Sequence, residues 1–393
     1  MASFPQQSIA FIQRQLHLYQ LGGTGGRICP PVSAQLLEAE ARRVMDPAAY
    51  DYVAGGAGGE RTMQANLHAF DKWRIVPRML RDVAVREIGT ELFGERLPTP
   101  VVLAPVGVQS IIHPRGELET AKAAASLGVP FALSTLSSYS IEEVANEMGD
   151  APRWFQLYPC RDEEIDRSLL SRAQNAGYRA VIVTLDTRLI GWRPRDLDRG
   201  YLPFLHGHGL ANYFSDPVFC SQLSAHVNDD PRAALQHWAR LNSHIGSTWA
   251  DLKALRKQTM LPLLVKGILH PDDALNALDC GVDGIIVSNH GGRQVDGAVA
   301  ALDALPVVVD VVAGRLPVLF DSGIRHGADV LKALALGARA VLTGRLYCWG
   351  LAIGGAAGIT EVMLNLFADF DVTLALSGFA ACNQLDRSVL SKV

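Results

Sequence analysis

The sequence lacks the features of several classes of protein. No apolar run reaches the roughly 18 residues that mark a membrane-spanning helix, so we expect no membrane span. The N-terminus has neither a basic segment nor a long apolar segment, so we expect no secretory signal. Basic residues are not in excess, and the formal net charge of −4 argues against a nucleic-acid or anionic-membrane partner. The chain also shows no internal repeat and no low-complexity tract.

Cysteine is scarce and scattered. The six cysteines form no C-x-x-C pair; they are Cys29, Cys160, Cys220, Cys280, Cys348 and Cys382. In a chain of 393 residues this pattern predicts reduced thiols in a cytoplasmic protein. His206 and His208 in LHGHGL resemble a short metal-binding tract, but no cysteine or carboxylate stands beside them at ligand spacing, so we expect no metal. The last three residues, Ser391-Lys392-Val393, resemble a peroxisomal address without its final Leu, which we interpret as chance.

A regular alternation of apolar runs and amphipathic stretches begins near residue 100. Most of the helical stretches end in a glycine, the usual signal of a helix C-terminus. The runs predicted to be buried strands are VVLAP (101–105), PFALST (130–135), WFQLY (154–158), AVIVTLD (180–186), LPLLVKG (261–267), GIIVSNH (284–290), PVLFDSG (317–323) and AVLTGR (340–345). Strands that alternate with helices pair in parallel, and eight such units predict a (β/α)8 TIM barrel. A doubly wound open sheet is the alternative.

A helical extension precedes the predicted barrel. We expect one barrel-type domain over residues 1–393, in which residues 1–99 form the extension and residues 100–393 the barrel. Glycine and proline at 21–31 indicate a linker between a short N-terminal helix and the body. Ser33 is a predicted N-cap of the helical stretch that follows, which breaks near Asp46 and Pro47, and His270, just before Pro271, is predicted to open a later helix.

One connection between strands is far longer than the others. Asp186 and Leu261 are 75 residues apart, whereas a strand–helix–strand unit needs roughly 30. A long insertion after a barrel strand lies over the active-site face, so we expect residues 187–260 to form a lid after the fourth strand. The alternative is a disordered surface loop, but the many aromatic residues of the insertion argue against disorder.

Polar side chains collect where the predicted strands end. Seven of the eight strand ends carry hydrogen-bonding or charged groups, which packing alone does not require. In TIM barrels the active site lies at this end of the strands. The segments after the last two strands, DSGIRHG and TGR, place glycines and arginines where such barrels bind phosphate. The pattern therefore predicts an active site beside a phosphorylated ligand.

These segments also carry a resemblance to a known family. The motifs are YDYVAGGAGGE (50–60), LAPVGV (103–108), FQLY (155–158), TLDT (184–187), LVKG (264–267), SNHGGRQ (288–294), DSGIR (321–325) and TGR (343–345). Together they resemble the FMN-dependent 2-hydroxy-acid oxidising family, which includes glycolate oxidase, lactate oxidase and mandelate dehydrogenase. The insertion and the Gly-rich N-terminus are most similar to those of the lactate 2-monooxygenases.

The resemblance implies a role for each matching residue. His290 is the base, Asp186 is its hydrogen-bond partner, and Arg293 holds the substrate carboxylate. Lys266 stands near the flavin N1, where it stabilises negative charge. Further contacts to the substrate are implied for Tyr52, Tyr158 and Arg193. The residues implied to bind the flavin ring are Pro105, Val106, Gly107, Ser134, Gln156, Thr184 and Ser288, and those implied to hold the ribityl phosphate are Asp321, Gly323, Arg325, Gly344 and Arg345.

The implied reaction is the oxidation of a small L-2-hydroxy acid by O2, with FMN as the cofactor and a tetramer or octamer as the assembly. Similarity to the monooxygenases implies that L-lactate becomes acetate, CO2 and water. In this reading Arg193, Arg195, Tyr201 and Phe204 of the insertion retain pyruvate, and Gly107 leaves room for O2. An oxidase that releases pyruvate and H2O2 is the alternative. A phosphate-binding barrel without redox chemistry and an inactive flavin-binding scaffold are more distant alternatives.

Two positions bear on the size of the substrate. Gly107 and Leu136 fall where the family shapes the pocket around the substrate side chain, and glycolate oxidase has Trp at the position of Leu136. The resemblance therefore implies a small aliphatic side chain. We expect L-lactate to be preferred, followed by 2-hydroxybutyrate and then mandelate.

Overall fold

The computed structural model describes residues 4–26, 28–242 and 244–393. Its α-helices are α1 (Phe4–Gly23), α2 (Ala34–Val44), α3 (Pro47–Ala54), α4 (Arg61–His68), α5 (Gly116–Leu127), α6 (Ile141–Met148), α7 (Glu163–Asn175), α8 (Pro194–Arg199), α9 (Ala211–Phe214), α10 (Pro217–Ser221), α11 (Pro231–Leu241), α12 (Trp249–Arg256), α13 (Pro271–Asp279), α14 (Ala301–Val312), α15 (Gly327–Ala335) and α16 (Arg345–Leu376). Its strands are β1 (Trp73–Ile75), β2 (Thr90–Leu92), β3 (Glu95–Leu97), β4 (Val101–Leu103), β5 (Phe131–Ser134), β6 (Arg153–Leu157), β7 (Val181–Thr184), β8 (Leu263–Ile268), β9 (Gly284–Val287), β10 (Val318–Asp321), β11 (Ala340–Thr343) and β12 (Leu390–Lys392).

Strands β4 to β11 close into one barrel. Neighbours along the chain pair in parallel, and β11 pairs with β4 to complete the ring. Every apolar run predicted to be a buried strand overlaps one of these strands, so the TIM barrel is confirmed and the open sheet is excluded. Closure matters for function because it brings all eight carboxyl ends to a single rim.

Side chains of the barrel strands alternate between two cores. Val102, Leu264 and Ile286 belong to the cluster that fills the barrel, whereas Val101 and Leu103 belong to the cluster shared with the surrounding helices. Because helices cover the outer face, the barrel strands are buried on both sides and consist mainly of apolar residues. Hydrogen-bonding groups can therefore appear in quantity only at the strand ends.

The extension and the capping residues agree with the sequence signals. Ser33 caps α2 by accepting a hydrogen bond from the Leu36 N–H, and Asp46 caps α3 after the expected break. His270 caps α13 through the Asp272 N–H, as predicted. All six cysteines are free thiols. At the other end of the chain β12 pairs antiparallel with β1, so the final residues lie in a small sheet.

Helix α16 is long and apolar enough to cross a membrane by length and composition alone. In the structure it packs against α1, α2, α5 and α15, and half of its most apolar window is buried. Its Asp371 pairs with Arg86 at 2.6 Å in the interior. These are the contacts of a core helix.

The insertion between β7 and β8 contains α8 to α12. Phe204, Tyr213, Phe219 and Trp238 pack against one another within it, with neighbouring ring centroids 5.2–6.5 Å apart. We call residues 187–260 the lid from here on. Its aromatic residues form a small core, which explains why the insertion holds a defined fold.

Candidate active site

A cavity of about 340 Å³ opens at the rim where the barrel strands end. The predicted site residues that line it are Tyr52, Pro105, Val106, Gly107, Ser134, Tyr158, Thr184, Arg193, Lys266, His290, Arg293, Asp321, Gly323, Arg325, Gly344 and Arg345. Gln156, Asp186 and Ser288 lie immediately behind this wall and bind residues that form it. The structure thus brings these residues together at one end of the barrel.

His290 reaches the cavity through an unusual backbone turn. After β9 the chain enters the left-handed region at His290, Gly291 and Gly292, with φ values of 59°, 63° and 78°. A histidine at positive φ is uncommon and is held only where neighbours support it. The side-chain oxygen of Asn289 supports the turn by accepting the Gly292 N–H at 3.1 Å. Asn289 in turn exchanges two 2.7 Å amide hydrogen bonds with Asn66 of α4.

The hydrogen bond between His290 and Asp186 sets the state of the imidazole. The distance from Nδ1 to Oδ1 is 2.8 Å, and an ionised carboxylate only accepts, so Nδ1 carries the proton and Nε2 keeps a free lone pair. Burial lowers the pKa of His290, although Asp186 opposes this effect. Burial acts to raise the pKa of Asp186, but His290 and Lys266 outweigh it and lower the value to about 2. At neutral pH the pair is an imidazole beside a carboxylate.

Arg293 presents a positive charge near this base. Its Nη1 donates to the Tyr52 and Gly55 carbonyls at 2.6 and 2.7 Å, and its guanidinium lies 5.1 Å from the Tyr52 ring centre. Burial lowers the pKa of Arg293 to about 10, which leaves it charged at neutral pH. Arg193 lies alongside and donates from Nε to the Arg293 carbonyl at 3.1 Å. Two cations at one end of the cavity suit an anionic ligand.

Lys266 and Asp321 form a buried pair in the wall of the cavity. Lys266 Nζ lies 3.1 Å from Asp321 Oδ2 and donates to Ser288 Oγ at 3.0 Å, while Ser288 donates to the same carboxylate at 2.6 Å. Burial would lower the pKa of Lys266, but Asp321 and Asp186 outweigh it and raise the value. A carboxylate repels phosphate, so Asp321 is suited to ribityl hydroxyls and to Lys266 rather than to the phosphate itself.

Arg345, also predicted to hold the phosphate, uses its side chain to bind backbone carbonyls. Its guanidinium donates to the carbonyls of Val53, Gly55 and Gly291 at 2.9–3.1 Å, and burial lowers its pKa to about 9. What Arg345 offers an anion is its backbone N–H, because it opens α16 and the first turn of a helix has free N–H groups. The side chain of Arg325, by contrast, has one hydrogen bond within the described part of the chain, to the Ile324 carbonyl, and lines the cavity.

The polar atoms around the cavity fit FMN. Gln156 Nε2, Thr184 Oγ1 and Thr343 Oγ1 are buried and have no hydrogen-bond partner among the described residues, a state that native proteins rarely leave uncompensated. The flavin ring carries several hydrogen-bonding edges, and these atoms lie in or beside the wall that would face it. Lys266 supplies a cation for the flavin, and Arg325 with the start of α16 supplies the donors for its phosphate.

Two residues expected to hold the keto acid lie elsewhere. Arg195 pairs with Glu60 at 2.6 Å, and Tyr201 stacks on His206 with ring centres 5.5 Å apart; neither lines the cavity. Only Arg193 and Phe204 of the four predicted lid residues do. Arg193 and Phe204 are the first and the last of these four residues. Spacing along the chain does not show which lid side chains face the cavity.

Gly107 has a packing role that the sequence analysis did not foresee. A Cβ at this position would lie 2.7 Å from the Leu136 carbonyl oxygen and 3.2 Å from the Leu136 Cβ. The absent side chain therefore points at a neighbouring loop, and the close approach of that loop explains the glycine. Room for O2 is not needed to account for it, so an exchange of Gly107 for Ala would disturb Leu136 as well as the cavity.

Several supporting residues escaped the sequence analysis. Thr187 Oγ1 donates to Asp186 at 2.9 Å and lies 3.2 Å from His290 Nδ1. Its signal was present, since it is the last residue of the TLDT motif. Asn66 had no such signal, because it is 223 positions away from its partner Asn289. Ser322 Oγ, which accepts the Gly291 N–H at 3.0 Å, was hidden inside the DSGIR motif.

Comparison with known proteins agrees with this geometry. An eight-stranded barrel with a buried histidine–aspartate pair, buried arginines and unpartnered polar atoms at its rim agrees with a flavin-dependent oxidoreductase. The family model for FMN-dependent dehydrogenase matches residues 41–392, and the chain belongs to this family. It is therefore an FMN-dependent enzyme that oxidises 2-hydroxy acids.

Individual relatives cover most of the chain. It is 44% identical to the FMN-dependent alpha-hydroxy acid dehydrogenase qulF of Penicillium citrinum, over 98% of this chain and 97% of that protein. It is also 44% identical to an L-lactate oxidase of Lysinibacillus sphaericus, over 87% of this chain and 88% of that protein. Among solved structures, mandelate oxidase superposes with a TM-score of 0.82 at 39% identity, over 92% of this chain and 98% of that chain.

A substitution at His290 tests the identity of the base. In His290→Gln the ring nitrogen that accepts a proton is lost, while the phosphate site, which other elements build, is unchanged. We expect FMN to remain bound and the anaerobic reduction of the flavin by L-lactate to slow by about 10²–10⁴-fold. Stopped-flow absorbance measures the rate, and the bound flavin content of the purified protein is the control. A variant reduced within tenfold of the wild type would show that His290 is not the base.

The acidic limb of the pH profile tests the same residue in the intact enzyme. Burial holds the pKa of His290 below its ordinary value of 6.5. The lone pair on Nε2 is therefore still available at pH 6.5, and protonation removes it only at a lower pH. We expect the second-order rate constant for flavin reduction to be flat near neutral pH and to reach half its plateau below pH 6.5. A midpoint above this value would contradict the assignment.

Proposed function

We propose that this enzyme oxidises a small aliphatic L-2-hydroxy acid, L-lactate before others, with O2 as the electron acceptor. We further propose that acetate, CO2 and water are its main products. The observation that carries the proposal is the His290–Asp186 pair beside Arg293, at the end of a cavity that the lid covers.

His290 begins the reaction by accepting a proton at Nε2. The resulting imidazolium donates from Nδ1 to Asp186, whose low pKa keeps it ionised to receive this charge. Bound FMN supplies the chemistry of a two-electron acceptor. The charge on Lys266 beside Asp321 makes that part of the cavity favourable for electron density.

Arg293 orients the substrate through its carboxylate. A planar guanidinium binds a carboxylate through two parallel hydrogen bonds, and Arg193 adds a second positive charge nearby. Tyr158 lines the same end of the cavity, and burial raises its pKa to about 12, so its hydroxyl stays protonated and donates. Tyr52 presents its ring beneath Arg293 and lines the cavity too.

The wall around the substrate side chain favours a small apolar group. Leu136, Leu202 and Phe204 contribute side chains to the cavity, and Gly107 brings the Leu136 loop close. The names of relatives cover both small and aromatic acids: one is an L-lactate oxidase, and another, 41% identical over 88% of this chain, is the 4-hydroxymandelate oxidase of Amycolatopsis orientalis. The three bulky apolar side chains support L-lactate as the preferred substrate.

The fate of oxygen depends on how long the keto acid stays bound. Hydrogen peroxide converts a 2-keto acid into the shorter carboxylic acid, so pyruvate and H2O2 held together give acetate, CO2 and H2O. If pyruvate leaves first, both compounds are released. A lid that holds the product favours the first outcome.

Hydrogen bonds attach the lid to the loop that follows His290. Gln294 Nε2 donates to the carbonyls of Asp186 and Leu189 at 2.8 and 2.9 Å, and Arg193 donates to the Gln294 oxygen at 3.0 Å. Arg199 reaches α3 through a 2.5 Å bond to Asp51. These contacts support retention of pyruvate. The alternative, an oxidase that releases pyruvate and H2O2, is supported by the names of the relatives called L-lactate oxidase.

A comparison of substrates tests the proposed pocket. We expect kcat/KM to fall from L-lactate to 2-hydroxybutyrate to mandelate, because each added group must fit against Leu136 and Phe204. Misfit of a methylene in such a pocket typically costs about 10–200-fold. The comparison uses one electron acceptor and one enzyme preparation, so that only the acid varies. A preference for mandelate would contradict the pocket assignment.

A product count tests the proposed outcome with oxygen. We expect L-lactate in air to yield acetate in excess over pyruvate, with little H2O2 at a peroxide electrode, because the lid retains pyruvate. Catalase added to a parallel reaction is the control, since it removes free peroxide and so prevents decarboxylation in solution. Acetate that disappears when catalase is present, or stoichiometric pyruvate and H2O2, would make this enzyme an oxidase.

A further inference from the structure

His208 occupies a position that the proposed reaction does not use. It belongs to the LHGHGL segment of the lid, in which His206 is exposed and stacks on Tyr201. His208 instead turns toward the barrel rim, where its Nδ1 lies 2.7 Å from Ser110 Oγ. The side chain of Ser110 lies 2.7 Å from Ser138 Oγ, which also accepts the Gly209 N–H at 3.2 Å.

These bonds join three separate segments of the chain. Ser110 follows β4, Ser138 follows β5, and His208 with Gly209 belongs to the lid. We call Ser110, Ser138 and His208 the polar latch. Burial lowers the pKa of His208, so its ring is neutral at neutral pH. One arrangement then uses each hydroxyl as donor and acceptor once: Gly209 donates to Ser138, Ser138 to Ser110, and Ser110 to His208 Nδ1.

A buried carboxylate holds the two serine-bearing loops together. Glu117 Oε1 accepts the N–H groups of Gln109 and Ser138 at 3.0 and 3.1 Å, so one oxygen fixes both loops. Burial raises the pKa of Glu117 to about 7, against the lowering effect of these N–H groups. These two hydrogen bonds hold the barrel side of the latch together, so movement of the lid would separate the latch at the bonds of His208 and Gly209.

The latch lies directly behind the substrate end of the cavity. Gly209 packs so closely that a Cβ there would lie 2.4 Å from Val108 Cγ1 and 2.9 Å from the Leu136 carbonyl oxygen. Leu136 and the lid residue Phe204 both line the cavity. The next contact along the lid is a 3.0 Å hydrogen bond from the Ala211 N–H to the Ser137 carbonyl. It extends the line of contacts between the lid and the loop after β5, which we call the seam. Separation of the lid along this seam would uncover the substrate end.

We propose that the polar latch is a positioning device that holds the lid closed over bound keto acid and thereby sets the rate at which this product leaves. The inference rests on the proposed function, since the enzyme must retain the keto acid if it is to convert it into acetate. The latch residues touch neither the base nor Arg293, so they act through the position of Leu136 and Phe204.

Hydrogen exchange and product inhibition test the latch in the FMN-loaded enzyme. In His208→Ala and in Ser110→Ala we expect amide exchange in residues 202–215 to rise by about three- to tenfold, the effect of losing one internal hydrogen bond. Exchange is followed by mass spectrometry. We expect the inhibition constant for pyruvate to rise by a similar factor and flavin reduction to remain within about twofold. The share of H2O2 and pyruvate among the products should grow.

The matched control is His206→Ala, which removes the neighbouring histidine of the same motif without touching the latch. It should leave exchange, pyruvate inhibition and the product ratio as in the wild type. If His208→Ala and Ser110→Ala behave like His206→Ala in exchange and in pyruvate inhibition, the latch is overturned. If the wild type itself forms only pyruvate and H2O2, the proposed product is wrong, while the exchange and inhibition results still decide the latch.

Discussion

The hydrogen bond between His290 and Asp186 is the interaction on which the rest of the site depends. It joins the ends of β7 and β9, and it decides which imidazole nitrogen faces the substrate. The side chain of the same aspartate accepts a hydrogen bond from the Thr187 hydroxyl, and its backbone carbonyl accepts one from the Gln294 amide. The base, the loop that follows it and the start of the lid are therefore held by one residue.

This arrangement requires a strained backbone, and the strain is supported from outside the barrel. A histidine at φ 59° costs on the order of 1–3 kcal/mol unless its surroundings determine the conformation. The two amide hydrogen bonds between Asn66 and Asn289 fix the residue just before it, and Ser322 and Asn289 accept the N–H groups of the two glycines that follow. The N-terminal extension is thus part of the active site although it contributes no barrel strand.

Much of this could be predicted from the sequence, because apolar strands and polar strand ends are local patterns. The barrel, the capping residues Ser33 and His270 and the rim residues all follow from such patterns. The pairing of Asn66 with Asn289 could not be predicted, since it depends on where a remote helix lies. The hydrogen bonds from the Arg345 guanidinium to three backbone carbonyls could not be predicted either, because only the folded loops bring these carbonyls within reach.

The cavity contains more positively charged than negatively charged side chains. The positions of the unpaired arginines indicate where the anionic groups of the ligands bind. Asp321 is paired with Lys266, and Asp186 stays ionised beside the neutral imidazole of His290, but four arginines of the predicted site line the same cavity. Arg293 and Arg325 lie at different parts of the cavity, and neither forms an ion pair with a carboxylate of the described residues, so each is left for an anion from outside. The phosphate of FMN suits the second and the substrate carboxylate suits the first.

Two of the attachments of the lid differ in which neighbouring segments they would move when the lid opens. Near Arg193 the lid shares hydrogen bonds with Gln294 and with the carbonyl of Arg293, so movement there would also move the loop that carries the base. Near Gly209 it rests on Ser138 and Ser110, which have no bond to that loop within the described chain. Release of product on the Gly209 side leaves the base and Arg293 in place. An enzyme built this way can vary how long it keeps its product, through neutral hydrogen bonds of modest strength, without altering the geometry that forms it.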